Sequence, residues 1–194
     1  MTASTTALIV VDVQNDFCEG GSMGVDGGAA VAANISELVA EQGGERYRYI
    51  VATRDWHIEP GDHWAPEGHE PDFVNTWPRH CEAETTGAAF HDHLTVDFDE
   101  IFSKGATSAS FSGFEGFAGT GASPLAKWLR DNEIQQVDVV GIATDYCVKA
   151  TALDAHANGF ATRVLADYCA AVASETGVAA LAELAEQGIE VVRA

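Results

Sequence analysis

A single cysteine stands near the start of a predicted helix in the stretch "GIATDYCVKATALDAHANG", residues 141–159. The run before it, residues 137–143, is apolar and rich in β-branched residues, which is typical of a buried parallel strand. Thr144 is predicted to cap a helix that ends at Gly159. Cys147 then lies in the first turn, where free backbone N–H groups and the helix dipole favour a thiolate. Position alone leaves two readings open, a nucleophile or a small buried hydrophobic residue.

Charged side chains fall at the ends of other predicted strands. Asp12 follows the first strand and Lys104 ends the third. In open α/β sheets ligands bind outside the carboxyl ends of the strands, so we expect these side chains and Cys147 on one rim. A thiol, a carboxylate and an ammonium suit nucleophilic acyl transfer: Asp12 takes the thiol proton and returns it to the leaving amine, while Lys104 stabilises negative charge. Backbone N–H groups around Ala143 and Cys147 are expected to bind the oxyanion.

The stretch "TRDWHIEPGDHW", residues 53–64, predicts a metal site. Asp55 and His57 are two residues apart, which puts both side chains on one face of a strand. His63 follows across a short turn, and His80 comes from "TWPRHC" at the far end of the same loop. One carboxylate and several imidazoles suit Zn²⁺, Fe²⁺ or Mn²⁺ better than Ca²⁺ or Mg²⁺, and the pattern does not choose among the three. The other histidines of this region are expected on the surface: His69, His91 and His93.

An alternation of strands and helices must position these residues. It predicts an α/β fold, a mostly parallel sheet with helices on both sides. The predicted strands are residues 7–13, 47–55, 99–104, 137–143, 161–167 and 189–194. Two long loops, residues 58–95 and 105–121, interrupt the alternation and are expected to build a site. Since the sequence has no internal repeat or linker, residues 1–194 are predicted to form a single domain.

Three further helices are predicted from apolar periodicity and end signals. The first ends near Gly43 and the second begins with Ser123 as its cap and Pro124 at the first helical position. The apolar face of the first helix is formed by Val31, Ile35, Leu38 and Val39, and that of the last by Val178, Leu181, Leu184 and Ala185.

Composition limits the class of protein. The 194 residues are 46% hydrophobic, which indicates a globular chain. The net charge of −20 argues against nucleic acid and anionic membranes as partners. This negative charge is compatible with a small neutral or cationic substrate, and equally with a surface adapted to high salt. The start has no basic segment and its apolar run ends at Asp12, so we expect no signal peptide or membrane span, and a cytoplasmic protein whose four cysteines are reduced.

Five motifs, taken in order, resemble those of the nicotinamidase/pyrazinamidase family of isochorismatase-like cysteine hydrolases. They are "VVDVQNDFCEGGS", "RDWHIEPGDH", "WPRHC", "SKGATSASFSGFEG" and "VVGIATDYCV". The resemblance covers essentially the whole chain. It implies a three-layer α/β/α domain around a six-stranded, mostly parallel sheet. It also implies hydrolysis of nicotinamide, and of pyrazinamide, to the acid and ammonia, a step in NAD salvage.

The resemblance implies roles for the charged residues. The family's triad falls on Asp12, Lys104 and Cys147, and its divalent-metal ligands fall on Asp55, His57, His80 and, at a position that varies among members, His63.

Substrate contacts are implied in the same way. Phe17 and Trp77 match the aromatic residues that sandwich the pyridine ring, whose nitrogen ligates the metal. Ile142 and Ala143 fall where the family has a non-proline cis peptide that shapes the oxyanion hole. Tyr146 departs from relatives that have histidine before the nucleophile, which affects access or substrate breadth.

Two alternatives remain open. One is a metal-free relative that acts on another amide, a carbamoyl group or a vinyl ether such as isochorismate; the intact pair Asp55 and His57 argues against it. The other is a non-catalytic metal-binding or thiol-redox domain. Redox chemistry favours Cys-x-x-Cys, and no two cysteines of this sequence have that spacing. Whether the chain is a monomer or a homo-oligomer is undetermined at this point.

Overall fold

Seven strands form one sheet in the computed structural model, which describes residues 4–119 and 122–193. They are β1 Thr6–Val11, β2 Tyr49–Asp55, β3 Glu100–Lys104, β4 Phe117–Ala118, β5 Gln136–Ile142, β6 Ala161–Ala170 and β7 Glu190–Val192. Their order is β4-β3-β2-β1-β5-β6-β7, and all neighbours are parallel except β3 and β4. The six predicted strands are therefore the parallel ones. The edge strand β4 has only two residues, too few to show an alternating pattern.

Helices cover both faces of the sheet, which confirms the predicted three-layer α/β/α fold. One face carries α1 Gly28–Leu38, which continues through a π-helical turn, Val39–Gly43, into α2 Gly44–Arg46. The other face carries α3 Leu125–Asp131, α4 Lys149–Ala157 and α5 Ser174–Glu186. None of the helices that the structure describes is both long and apolar enough to cross a bilayer.

The side chains of β1 point alternately into the two layers of the core. Leu8 and Val10 are fully buried against the α1 side, where they pack in one cluster with Ile35. Ile9 and Val11 are equally buried on the opposite side, in the cluster that holds α3, α4 and α5. Successive strand residues point to opposite faces, so a strand buried on both faces has a continuous apolar sequence. β1 is therefore the central strand, and its carboxyl end lies deep in the molecule.

Two predicted helix starts are wrong. Pro124 is the N-cap of α3 and has extended geometry, so the helix begins at Leu125. Ser123 accepts a backbone hydrogen bond from Ala118 of β4, which ties it to the sheet edge. Thr144 is the first residue of a π-helical turn, Thr144–Val148, whose N-cap is Ala143 without a side-chain cap.

The predicted apolar face of α5 is partly wrong. Leu184 is buried as expected, but Val178 is 62% exposed and Ala185 is exposed too. The helix buries Gly177 and Ala180 instead, and a Cβ on Gly177 would lie 2.5 Å from Ala171 Cβ. For α1, the predicted face is confirmed. The predicted ends of the last strand and of the second loop, at Ala194 and Gly121, lie outside the described residues.

Candidate active site

Four predicted site residues meet at the carboxyl edge of the sheet. Asp12 follows β1, Asp55 ends β2, Lys104 ends β3, and Cys147 lies in the turn after β5. β1 lies between β2 and β5, so this is where the strand order reverses and where open α/β sheets form their crevice. All four side chains are buried. The predicted convergence is therefore present in the structure.

Lys104 is the centre of this group. Its Nζ lies 3.0 Å from Asp12 Oδ2 and 3.8 Å from Cys147 Sγ, and it donates a short hydrogen bond to Asp55 Oδ1. The second oxygen of Asp12, Oδ1, accepts a hydrogen bond of 2.7 Å from Thr53 Oγ1. One buried ammonium thus holds two carboxylates and a thiol within reach of one another.

Burial and charge shift the ionisation of these groups in different directions. Burial alone lowers the pKa of Lys104, but Asp12 and Asp55 outweigh it and raise that pKa well above its usual value. Burial raises the pKa of Asp12, with Lys104 opposing it. For Asp55, burial is outweighed by Lys104 and His57, and the pKa is lowered. The charged form of Lys104 is therefore favoured, and Asp12 is the more basic of the two carboxylates.

The surroundings of Cys147 oppose the thiolate that its position near a helix start favours. Burial raises the pKa of the Cys147 thiol well above its ordinary value, and the nearby charge of Lys104 only opposes this. Desolvation disfavours the charged form of any acid. A protonated thiol acts as a nucleophile only with a base beside it, and the Asp12 carboxylate lies within hydrogen-bonding reach of Cys147.

The predicted metal ligands form a second cluster beside Lys104. The ligating nitrogens of His57, His63 and His80 all lie within 4.8 Å of one another. His57 Nε2 and His80 Nε2 are 3.3 Å apart, and Asp55 Oδ2 lies 3.7 and 3.9 Å from them. Ligands about 2.0–2.1 Å from a tetrahedral metal ion lie about 3.4 Å apart, so the spacing fits such an ion.

The tautomers of two histidines also fit a metal ion. His57 Nδ1 lies 2.6 Å from Gly105 O, and His80 Nδ1 lies 2.6 Å from Pro78 O. A carbonyl only accepts, so each Nδ1 carries the hydrogen and each Nε2 presents a lone pair. Two lone pairs and a carboxylate oxygen then face one another, an arrangement that a cation stabilises. Among the described residues, His63 Nδ1 is a buried nitrogen without a hydrogen-bond partner.

Burial keeps two of these imidazoles neutral. It lowers the pKa of His63 to about 4, with a further contribution from His80 and His57, and it lowers the pKa of His80 as well. A neutral imidazole is the form that binds a metal. Gly105 is required here for space, since its φ is +72° and a Cβ would lie 2.6 Å from the His57 ring.

The remaining histidines of the long loop stay outside this cluster. His69 and His93 are exposed and His91 is half-buried, as expected for residues that do not ligate. All four cysteines are free thiols.

A pocket opens beside the two clusters, and every residue predicted to contact the substrate is part of its wall. Its wall includes Phe17, Trp77, Ile142, Ala143 and Cys147, together with His63, His80 and Asp55 of the metal cluster. The Ile142–Ala143 peptide is cis.

Phe111 was not predicted from the sequence as part of the pocket wall, and Tyr146 was predicted only to affect access or substrate breadth. Phe111 and Tyr146 stack at 6.2 Å between ring centroids, and the Trp77 ring stands edge-on to Tyr146 at 5.5 Å. The further lining residues are Met23, Val25, Ser110 and Val172. Phe111 and Ser110 come from the second long loop, so the loop itself was the available signal.

Asp145 links the nucleophile turn to the pocket rim. Its carboxylate accepts hydrogen bonds from the backbone of Val172 at 3.0 Å and of Ala173 at 3.4 Å, and from Thr176 Oγ1 at 2.5 Å. These groups open α5, so one side chain next to Cys147 both stabilises the helix start and holds the rim.

The chain belongs to the isochorismatase family: the model of the isochorismatase domain matches residues 6–194. The nicotinamidase/pyrazinamidase of Mycobacterium tuberculosis is 52% identical to it over 187 residues, which cover 96% of this chain and 97% of that protein. A Pyrococcus horikoshii pyrazinamidase, solved in complex with zinc, superposes with a TM-score of 0.81 at 39% identity, covering 98% of this chain and 99% of its own. The PnC1 protein of L. infantum, solved in complex with nicotinate, superposes with a TM-score of 0.83 at 36% identity, covering 100% and 96%.

Proposed function

We propose that this protein hydrolyses nicotinamide to nicotinate and ammonia, and pyrazinamide to pyrazinoate, as a single isochorismatase-like domain. The observation that carries the proposal is the position of Lys104 Nζ between Asp12, Asp55 and Cys147 at the base of an aromatic pocket. The names of the M. tuberculosis and P. horikoshii relatives support it. Nicotinate formation from nicotinamide is a step of NAD salvage, and we assign the protein to that process.

The nucleophile and the base act as a pair. Cys147 Sγ attacks the carboxamide carbon while its proton passes to Asp12, and the charge of Lys104 stabilises both partners. The C–N bond then breaks as Asp12 returns the proton to the nitrogen, which leaves as ammonia. Backbone N–H groups of Ala143 and Cys147 stabilise the oxyanion. Water attacks the thioester and gives a proton to Asp12, and the C–S bond breaks to release nicotinate while the sulfur regains the proton.

The rest of the pocket orients the substrate. Phe17 and Trp77 hold the two faces of the pyridine ring. Asp55, His57, His63 and His80 would hold the metal ion, and their donor set suits zinc, iron or manganese. When bound there, such an ion supplies a Lewis-acidic centre for the ring nitrogen. Placement of this kind matters because a misplacement of about 1 Å can lower the rate on the order of 100-fold.

The direct test is ammonia release on protein of measured metal content, with nicotinamide and pyrazinamide as substrates. We expect turnover of both by the wild type and none by the Cys147→Ala variant. Hydrolysis of carbamoyl compounds or isochorismate without turnover of either pyridine-type amide would contradict the proposal and favour the metal-free relatives.

A further inference from the structure

Ser110 is the buried polar residue of the pocket wall that the mechanism leaves unused. It is only 5% exposed, and its Oγ has no hydrogen-bond partner within the described part of the chain. The residue lines the same pocket as Cys147 and His63. A buried hydroxyl without a partner is unfavourable, so it is expected to gain a partner when the pocket is filled.

The backbone of Ser110 fixes its place beside the triad. Its carbonyl oxygen lies 3.4 Å from Lys104 Nζ. The side chain therefore belongs to the wall next to the reacting centre, where the carboxamide must bind for attack by Cys147. Phe111, the next residue, contacts the His63 ring at 6.2 Å between centroids and continues that wall.

The substrate brings two donors to a triad in which Asp12 Oδ2 is the oxygen without a hydrogen bond. A carboxamide nitrogen carries two N–H groups. Asp12 already accepts from Thr53 through Oδ1 and pairs with Lys104 through Oδ2. Asp55 is likewise taken by Lys104 through Oδ1 and faces the histidines through Oδ2. Two buried oxygens near the triad have no hydrogen-bond partner among the described residues, Asp12 Oδ2 and Ser110 Oγ. Asp12 is the group that exchanges the proton with the leaving nitrogen, so Ser110 Oγ is the acceptor available for the second N–H.

We infer that Ser110 Oγ accepts a hydrogen bond from the carboxamide N–H of the bound substrate and so selects primary amides over substrates without that hydrogen. The inference rests on the proposed function, because it assumes that the carboxamide of a pyridine-type amide is the reacting group. Ser110 is then a specificity-determining residue that contacts the leaving nitrogen.

The test compares nicotinamide with methyl nicotinate, an ester with the same ring and acyl group but no N–H. Both substrates form the same acyl-enzyme, so kcat/KM reports only the steps up to that intermediate. Ser110→Ala is expected to lower kcat/KM for nicotinamide roughly fivefold to tenfold and to leave the value for the ester within about twofold. An equal loss for both substrates, or no loss for either, would overturn the inference.

A measurement of ligand binding tests the same inference even if the ester is not turned over. In the Cys147→Ala background, Ser110→Ala should weaken nicotinamide binding by a similar factor and leave methyl nicotinate binding unchanged. The Tm should stay the same or rise, because the variant removes a buried hydroxyl without a partner. A lower Tm would mean that the hydroxyl is structural and would count against the inference.

Ser112 provides the matched control. It is equally buried, but its Oγ accepts from Phe114 N–H in a capping box with Glu115. Ser112→Ala should lower the Tm and leave the ratio of amide to ester turnover unchanged.

The outcomes distinguish the inference from the proposed function. If the wild type hydrolyses neither substrate, both fail. If the wild type hydrolyses nicotinamide and Ser110→Ala does not alter the ratio of amide to ester turnover, only the inference fails.

Discussion

Gln14 and Asp55 exchange two hydrogen bonds at the centre of the site. Gln14 Nε2 donates to Asp55 O and Asp55 N–H donates to Gln14 Oε1, both at 2.8 Å. The same amide also donates to Ala88 O at 2.8 Å, and the Gln14 side chain is fully buried. One side chain therefore holds the backbone of a proposed metal ligand and ties it to the loop that follows His80.

Replacing this amide should affect both stability and metal binding. Gln14→Met keeps the size of the side chain but leaves the N–H and C=O of Asp55 unpaired. We expect a loss of about 2–4 kcal/mol in the free energy of unfolding and zinc affinity lowered roughly 10–100-fold, as for other groups that orient a metal ligand. Urea denaturation and zinc titration measure the two effects. Gln187→Met, at an exposed position, is the control; an equal effect of both variants would contradict the role of Gln14.

The nucleophile is tested by removal of one atom. Cys147→Ala should abolish turnover and the acyl adduct seen by mass spectrometry, with the far-UV spectrum unchanged, because alanine suits a helical position. Cys169→Ala removes a half-buried thiol that lies outside the pocket and should keep full activity. Retention of more than a trace of activity in Cys147→Ala would exclude the covalent mechanism.

The pH profile of alkylation tests Lys104. Burial raises the pKa of Cys147, and Lys104 opposes that shift. Removal of the ammonium should therefore raise the thiol pKa further, so that alkylation by iodoacetamide in Lys104→Met requires a higher pH than in the wild type.

A fold control is needed for this variant, because it leaves two buried carboxylates unpaired and should lose about 3–5 kcal/mol of stability. Lys127→Met removes an exposed lysine that is paired with Asp131 on the same helix, and it should leave the profile unchanged. Identical alkylation profiles for Lys104→Met and the wild type would refute the assigned role.

The fourth ligand is tested by its effect on zinc affinity. His63→Ala should weaken zinc binding, since the lone pair of a buried imidazole is lost from the cluster. His69→Ala changes an exposed histidine of the same loop and should bind zinc as the wild type does. If the wild type, His63→Ala and His69→Ala bind zinc with equal affinity, the prediction for His63 is wrong and the protein ligands are Asp55, His57 and His80.

Residues at strand ends could be placed from the sequence, and loop residues could be placed only where their types and spacing, or a family motif, gave a signal. Asp12, Asp55 and Lys104 were predictable because a parallel sheet brings the carboxyl ends of its strands to one edge. Gln14 carries no such signal: its amide becomes informative only when β1 and β2 are side by side. The cluster of histidines was predictable as a set because their types and spacing suit a metal.

The second long loop shows why the sequence did not predict the whole pocket wall. Its local order depends on Ser112 and Glu115, a capping box that has a sequence signature, and on Gly113 N–H, which donates to Thr151 Oγ1 of α4 at 2.9 Å. The second contact spans distant parts of the chain, so the direction of Ser110 and Phe111 cannot be read from the loop alone. The raised pKa of Cys147 has the same origin, since burial is a property of the packed molecule.

Trp77 gives the molecule an optical property. Its indole forms part of the pocket wall, edge-on to Tyr146 and next to Phe111. Indole emission depends on what surrounds the ring, so a ligand that displaces water from this wall must alter the fluorescence of the protein. The other three tryptophans lie outside the pocket lining, at Trp56, Trp64 and Trp128. Occupancy of the pocket can thus be followed in real time without a label, by light that the protein itself emits.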